Sequence, residues 1–188
     1  MCTLILLHRC VAGAPLVVAA NRDEYLDRPS APPALRPGPG LGVVAPGDLR
    51  AGGTWLGVNA AGLFAGLTNR PVAAPDAARR SRGLLVLDAL QEPDAEAAAR
   101  RLEALPPDAY NPFNLVVADA GSAFAVRYDG KPRAERLRPG PHVIGNADPD
   151  EVSVPQIARL LDRAAEAGRH GADDVPDALA AICREHEG

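Results

Sequence analysis

The sequence predicts an α+β protein with mainly antiparallel sheets. Short apolar runs of strand length come in pairs across turn residues, and their order along the chain is strands, helices, strands, helices. No internal repeat appears and no linker divides the 188 residues, so one domain spanning 1–188 with a sizeable core is expected.

Residues 2–9 read as a strand with Cys2, Leu4, Leu6 and His8 on one face. Gly13-Ala14-Pro15 turns the chain and residues 16–21 return as the hairpin partner. The proline-rich stretch 27–40 reads as a loop beside an entrance. Its Gly38-x-Gly40-x-Gly42 spacing makes a poor phosphate loop, because Pro39 interrupts it and no helix follows. Leu41–Val44 reads as a short strand before a turn at Gly47-Asp48. Residues 53–59 and 62–69 form a further strand pair, whose glycines suggest close approach of another backbone or a ligand. Ser81 and Asp94 are placed to cap two helices, running to about Leu90 and Leu105. Strand patterns resume at 113–119, 122–128, 133–137 and 142–146. Ser153-Val154-Pro155-Gln156 has the spacing of a capping box opening a helix to about Ala167, and a last helix runs from about Asp174 to Arg184.

Composition narrows the function classes. Apolar residues make up 47% and charged residues 23%, ordinary for a globular chain, and 18 glycines with 19 prolines stay below a low-complexity level. A net charge of −4 without a basic stripe argues against a nucleic-acid partner. Three cysteines at unrelated spacings make neither a disulfide framework nor a zinc site, which points to a reducing, cytoplasmic setting. The first residues lack a basic leader, and no apolar run approaches about 18 residues, so neither a signal peptide nor a transmembrane segment is expected. The oligomeric state is left open, and a small molecule is the expected partner.

The chemistry concentrates where the run Val17-Val18-Ala19-Ala20 ends in Asn21-Arg22-Asp23-Glu24. Polar side chains at the tip of a buried strand cost desolvation unless they pair with one another or with a ligand. A salt-bridged strand end is the ordinary account. Cys2 offers another: once Met1 is removed, its thiol is a nucleophile carrying its own base, the free α-amino group. That amine ordinarily titrates near 7.7–8.0, so part of it is neutral at pH 7, and Arg22 nearby would favour the thiolate. His8 is not the base, because six residues of one strand span roughly 20 Å. Cys10 and Cys183 read as inert, and His170 and His186 as surface residues. Asp148, Asp150 and Glu151 precede a helix, where carboxylates suit its dipole, and they lack the spacing of a calcium loop. Trp55 reads as core or pocket wall.

Five stretches together resemble one family: Met1-Cys2-Thr3-Leu4-Ile5, Ala20-Asn21-Arg22-Asp23-Glu24, Arg50-Ala51-Gly52-Gly53-Thr54-Trp55-Leu56-Gly57, Leu67-Thr68-Asn69 and Phe113-Asn114-Leu115. They resemble the NRDE family, the TANGO (transport and Golgi organisation) type proteins, over nearly the whole chain and in the family's order. Family members usually continue into a further strand region with a Tyr-Gly-Thr-Arg-Ser-type stretch; this sequence ends at His186-Glu187-Gly188, and the expectation is that this region, with one wall of the site, is lacking.

The same frame is similar to the N-terminal-nucleophile (Ntn) hydrolases of the choloylglycine hydrolase and penicillin acylase group. That resemblance implies an αββα sandwich of two mainly antiparallel sheets with flanking helices. It implies Cys2 as nucleophile and Asp23 as the carboxylate that orients the α-amino group. Asn69 and Asn146 match the amides that stabilise a tetrahedral oxyanion. Ala20 stands where that group has arginine, and Arg22, two residues on, shares its strand face as the candidate replacement. Asn21, Glu24, Trp55 and Asn114, from the same blocks, are the expected substrate-binding residues. The implied activity is amide or thioester hydrolysis with no metal or cofactor required. The TANGO-type resemblance also implies a non-enzymatic class, haem handling or lipid and acyl-CoA homeostasis around an apolar cleft. Cys2, His8 or His142 would then offer an axial ligand to haem, although no Cys-x-x-Cys-His motif occurs.

Overall fold

The computed structural model describes residues 2–36 and 40–184, so Met1, Gly38, Pro39 and His186 of the readings above lie outside the described residues. The described residues form two antiparallel sheets and four helices, which bears out the α+β reading. It divides into two compact units, one made by the start of the chain through Asp23 together with the stretch from Arg138 onward, the other by Glu24–Leu137.

The first unit is a three-stranded sheet ordered β10 (Gly140–Ile144), β1 (Thr3–Val11), β2 (Ala14–Asn21). The expected hairpin is present, with Thr3 opposite Asn21 and His8 opposite Leu16. Ile5 and Leu7 alternate onto the face that packs with α3 (Pro155–Ala167) and α4 (Val175–Arg184), burying Val143, Ile157, Ala164, Val175 and Leu179. Leu4, Leu6 and His8, on the other face, are buried as well. The strand runs past its expected end at residue 9 by means of a register shift between His8 and Val11, where Arg9 adopts φ 53°. Cys10, within that irregularity, is exposed by its overall surface.

The capping box expected at Ser153 does not form. Pro155 occupies the first turn, Val154 is the cap residue, and Ser153 instead gives its backbone N–H to Glu151 Oε1 at 3.2 Å.

The second unit is a seven-stranded meander in chain order: β3 (Ser30–Arg36), β4 (Val43–Asp48), β5 (Leu56–Asn59), β6 (Phe64–Asn69), β7 (Phe113–Ala118), β8 (Ala123–Tyr128) and β9 (Pro132–Arg136). Two expectations fail at its start. Part of the stretch read as a loop is β3, and the expected turn at Gly47-Asp48 lies inside β4. Pro32 and Pro33 fall where the β3–β4 register shifts, between Ala31 and Ala34, on the outermost strand, where a missing donor is tolerated.

Helices α1 (Arg82–Ala89) and α2 (Ala95–Glu103) bury Leu85, Val86, Ala98 and Leu102 with Leu63, Leu115 and Val126 of the sheet. Asp94 caps α2 as expected, accepting from Ala97 N at 2.7 Å, whereas the Ser81 hydroxyl makes no cap bond. Gly53 shows the close approach expected of the strand glycines. A Cβ there would lie 2.7 Å from the Gly83 carbonyl oxygen, and Thr54 N donates to that same oxygen at 3.0 Å. Beneath the sheet, Phe113 stacks on Tyr128 with centroids 5.1 Å apart, and the Tyr128 hydroxyl donates to Pro106 O at 2.7 Å.

Candidate functional site

In the first unit three strand ends meet at one edge of the sheet. Thr3 pairs with Asn21, and Leu4 pairs with Ile144. Cys2 lies one residue before the start of β1, Arg22 one residue after the end of β2, and Asn146 two residues after the end of β10.

The polar tip folds back toward the thiol. Cys2 Sγ donates to the Asp23 carbonyl at 3.2 Å, and Asn21 Nδ2 donates to Asp23 Oδ1 at 2.9 Å. Cys2 is partly exposed, Asn21 and Arg22 are half-buried, and Asp23 is open to solvent. Burial pushes the Cys10 and Cys183 thiols up, so neither is an activated sulfur.

Asn146 sits in the loop after β10, and that loop is stapled shut. The Asp150 carboxylate accepts from Val143 N at 2.7 Å, and Asp150 N donates to Val143 O at 3.0 Å. Buried His142 places Nδ1 2.5 Å from Asp150 Oδ2 and Nε2 2.8 Å from the Arg138 carbonyl. A carbonyl only accepts, so the bond to Arg138 requires the hydrogen on Nε2. Nothing in the sequence signals this pair, because His142 and Asp150 are eight residues apart across an irregular loop. Among the described residues no cluster of His, Cys, Asp or Glu is arranged to hold a metal ion.

Beside the thiol corner, still within this unit, an open groove of about 460 Å³ runs between β2 and α4. Val17, Ala19, Leu179 and Ala180 make its walls, and Asn21 stands at one end.

The remaining candidates belong to the second unit. Asn69 is exposed at the end of β6, opposite Phe113, and Asn114 is fully buried next to it, its Oδ1 accepting from Arg70 Nη1 at 3.2 Å. Trp55 is half-buried and its carbonyl accepts from Leu67 N at 2.8 Å. Glu24 forms an ion pair with Arg28 at 3.3 Å. Arg28 also clasps buried Asp48 with Nε at 3.2 Å and Nη2 at 2.6 Å, which holds the Asp48 carboxyl below its ordinary value. Spacing did not reveal Arg28 and Asp48, which meet only through the β3–β4 pairing.

The sequence matches the family described as TANGO2, Transport and Golgi organisation 2, over residues 1–187. It is 34% identical over 142 residues to the Transport and Golgi organization 2 homolog of Mus musculus and 33% identical over 140 residues to the Homo sapiens homolog. Each alignment takes in 70% of this chain and 50% of the relative, so the chain spans about half the length of those relatives. Among solved structures, the Caenorhabditis elegans ortholog of N-acylethanolamine-hydrolyzing acid amidase superposes with a TM-score of 0.75 at 12% identity, covering 98% of this chain and 86% of the other. Penicillin V acylase from Agrobacterium tumefaciens gives 0.53 at 18% identity, over 97% and 63% of the two chains. A conjugated bile acid hydrolase variant from Clostridium perfringens gives 0.56 at 14% identity, over 86% and 58%. These similarities show an Ntn-hydrolase fold.

Proposed function

The chain belongs to the Transport and Golgi organisation 2 family, and from that premise and the Cys2 corner we propose that it is a cysteine-nucleophile hydrolase of amides or thioesters. The observation that carries the reading is the Cys2 thiol, seated at the sheet edge against Asp23, whose carboxylate is held by Asn21.

Removal of Met1 would free the α-amino group to take the thiol proton. The thiolate then bonds to the substrate carbonyl carbon, and the resulting oxyanion is received by the Asn146 amide N–H. Asp23 orients the α-ammonium, which gives its proton to the departing amine or thiol as the tetrahedral adduct collapses to a thioester on Cys2. Water, deprotonated by the same amine, attacks that thioester and releases the acid. The apolar groove ending at Asn21 suits an aliphatic acyl group. Assaying a panel of N-acyl amides and acyl thioesters with the wild type and Cys2→Ala tests this. Turnover that vanishes in the variant is expected, and equal rates in both overturn the reading.

The groove also favours a second reading, a carrier of an apolar ligand such as a lipid chain or haem. For His142 to serve haem it would have to release Asp150 or the Arg138 carbonyl. Titration with haemin and with a fatty acyl ligand separates the two readings. A carrier binds the fatty acyl ligand equally well with Cys2→Ala and turns nothing over.

A further inference from the structure

We propose that Arg82 anchors a binding site for a carboxylate-bearing small molecule in the second unit. The arginines around it have counter-ions: Arg28 pairs with Asp48 and Glu24, Arg70 with Asp129, and Arg79 with Asp76. Arg82 does not follow them. It is half-buried, its Nη1 donates to the Pro112 carbonyl at 2.8 Å, and among the described residues no carboxylate makes an ion pair with it.

Its surroundings make that burial costly. Desolvation lowers the basicity of the guanidinium, and the neighbouring charge of Arg28 lowers it further, with Glu24 acting in the opposite sense. Glu24, the carboxylate whose charge reaches Arg82, is already held by Arg28 in an ion pair at 3.3 Å. Arg82 also lies in the first turn of α1, which contains no acidic residue and disfavours a cation. A partly desolvated guanidinium beside a second one leaves room for an added anion.

The guanidinium is prepared for one of particular shape. With Nη1 on Pro112, Nε and Nη2 remain, and neither makes a hydrogen bond among the described residues or is sealed from solvent. These two nitrogens form the side-on edge, whose parallel N–H groups match the two oxygens of a carboxylate. The backbone that carries them is fixed, because Thr54 N donates to Gly83 O at 3.0 Å and a Cβ on Gly53 would find no room against Gly83. A phosphate would want more donors than this one edge supplies.

Nitrogen-15 NMR of the full chain tests the site, with sodium benzoate and neutral benzamide titrated at constant ionic strength. The Arg82 Nε–H signal, assigned by its loss in Arg82→Gln, and the Gly83 amide should shift and saturate with benzoate and not with benzamide. In Arg82→Lys, saturation at Gly83 should need about tenfold more benzoate. A shift that never saturates and matches that of exposed Arg100 would mean a general salt effect and overturn the proposal. So would saturation by benzamide, saturation by inorganic phosphate in place of benzoate, or benzoate saturation at Gly83 that persists in Arg82→Gln. Binding is read without turnover, so the outcome is independent of whether Cys2 is a nucleophile.

Discussion

Two acidic corners, built from similar residues, treat their carboxylates in opposite ways. Asp48 is buried, receives Arg28 through two hydrogen bonds and the Arg50 backbone N–H at 3.1 Å, and joins β3 to β4. Asp23 stands in solvent at the end of β2, with Asn21 on its carboxylate and the Cys2 thiol on its carbonyl. The first arrangement stores stability. The second leaves an acid and a sulfur open at the sheet edge, where fold stability gains little. Mutations at the two corners should therefore separate activity from stability.

The largest effect is expected at the sulfur. Cys2→Ala should lower amide or thioester turnover by about 10³-fold or more, because the covalent step has no substitute nucleophile, and thermal melting should be unchanged. Asp23→Asn should lower turnover by about 10²-fold, again at constant melting temperature. Asp48→Asn should do the reverse, costing about 2 kcal/mol in denaturant unfolding with little change in turnover.

The same pair differs in its response to acid. The Asp48 carboxyl is held below its ordinary value, first by the Arg28 hydrogen bond, so the native state binds its proton less readily than the unfolded chain. Its contribution is complete above about pH 4 and is lost as pH falls through the lower native value. Asp48→Asn should flatten that part of the acid limb in pH-dependent unfolding, and a limb unchanged from wild type would remove Asp48 from the account.

Gly53→Ala should cost about 2 kcal/mol, because the added methyl meets backbone rather than a movable side chain. Asp150→Asn should cost about 1 kcal/mol, since Val143 N keeps an acceptor while the carboxylate contact with His142 is lost. Urea titrations of both variants check the order.

What was legible in the sequence follows from the range of the interactions. The β1–β2 hairpin declared itself because its apolar pattern and turn lie within about twenty residues, and Asp94 did so because a cap acts three residues away. The β3 strand was hidden by Pro32-Pro33, whose meaning depends on being at a sheet edge. Ser153 failed as a cap because Pro155 moved the helix start by one residue. At the site, Cys2, Asn21 and Asp23 were visible as a cluster, and the structure joins them by hydrogen bonds. The His142–Asp150 staple and the Arg28–Asp48 clasp were not, because each depends on where a loop or a strand partner returns.

The account turns on Cys2 being the true amino terminus, since an amide nitrogen in Met1-Cys2 cannot accept the thiol proton. Mass spectrometry of the intact protein from its natural host, treated briefly with iodoacetamide below pH 8, reads this directly. A species lighter by one methionine and alkylated at Cys2 ahead of Cys10 and Cys183 is the expected result. Retained Met1, with Cys2 no more reactive than the other two, would contradict the nucleophile and leave the groove as the site of a carrier.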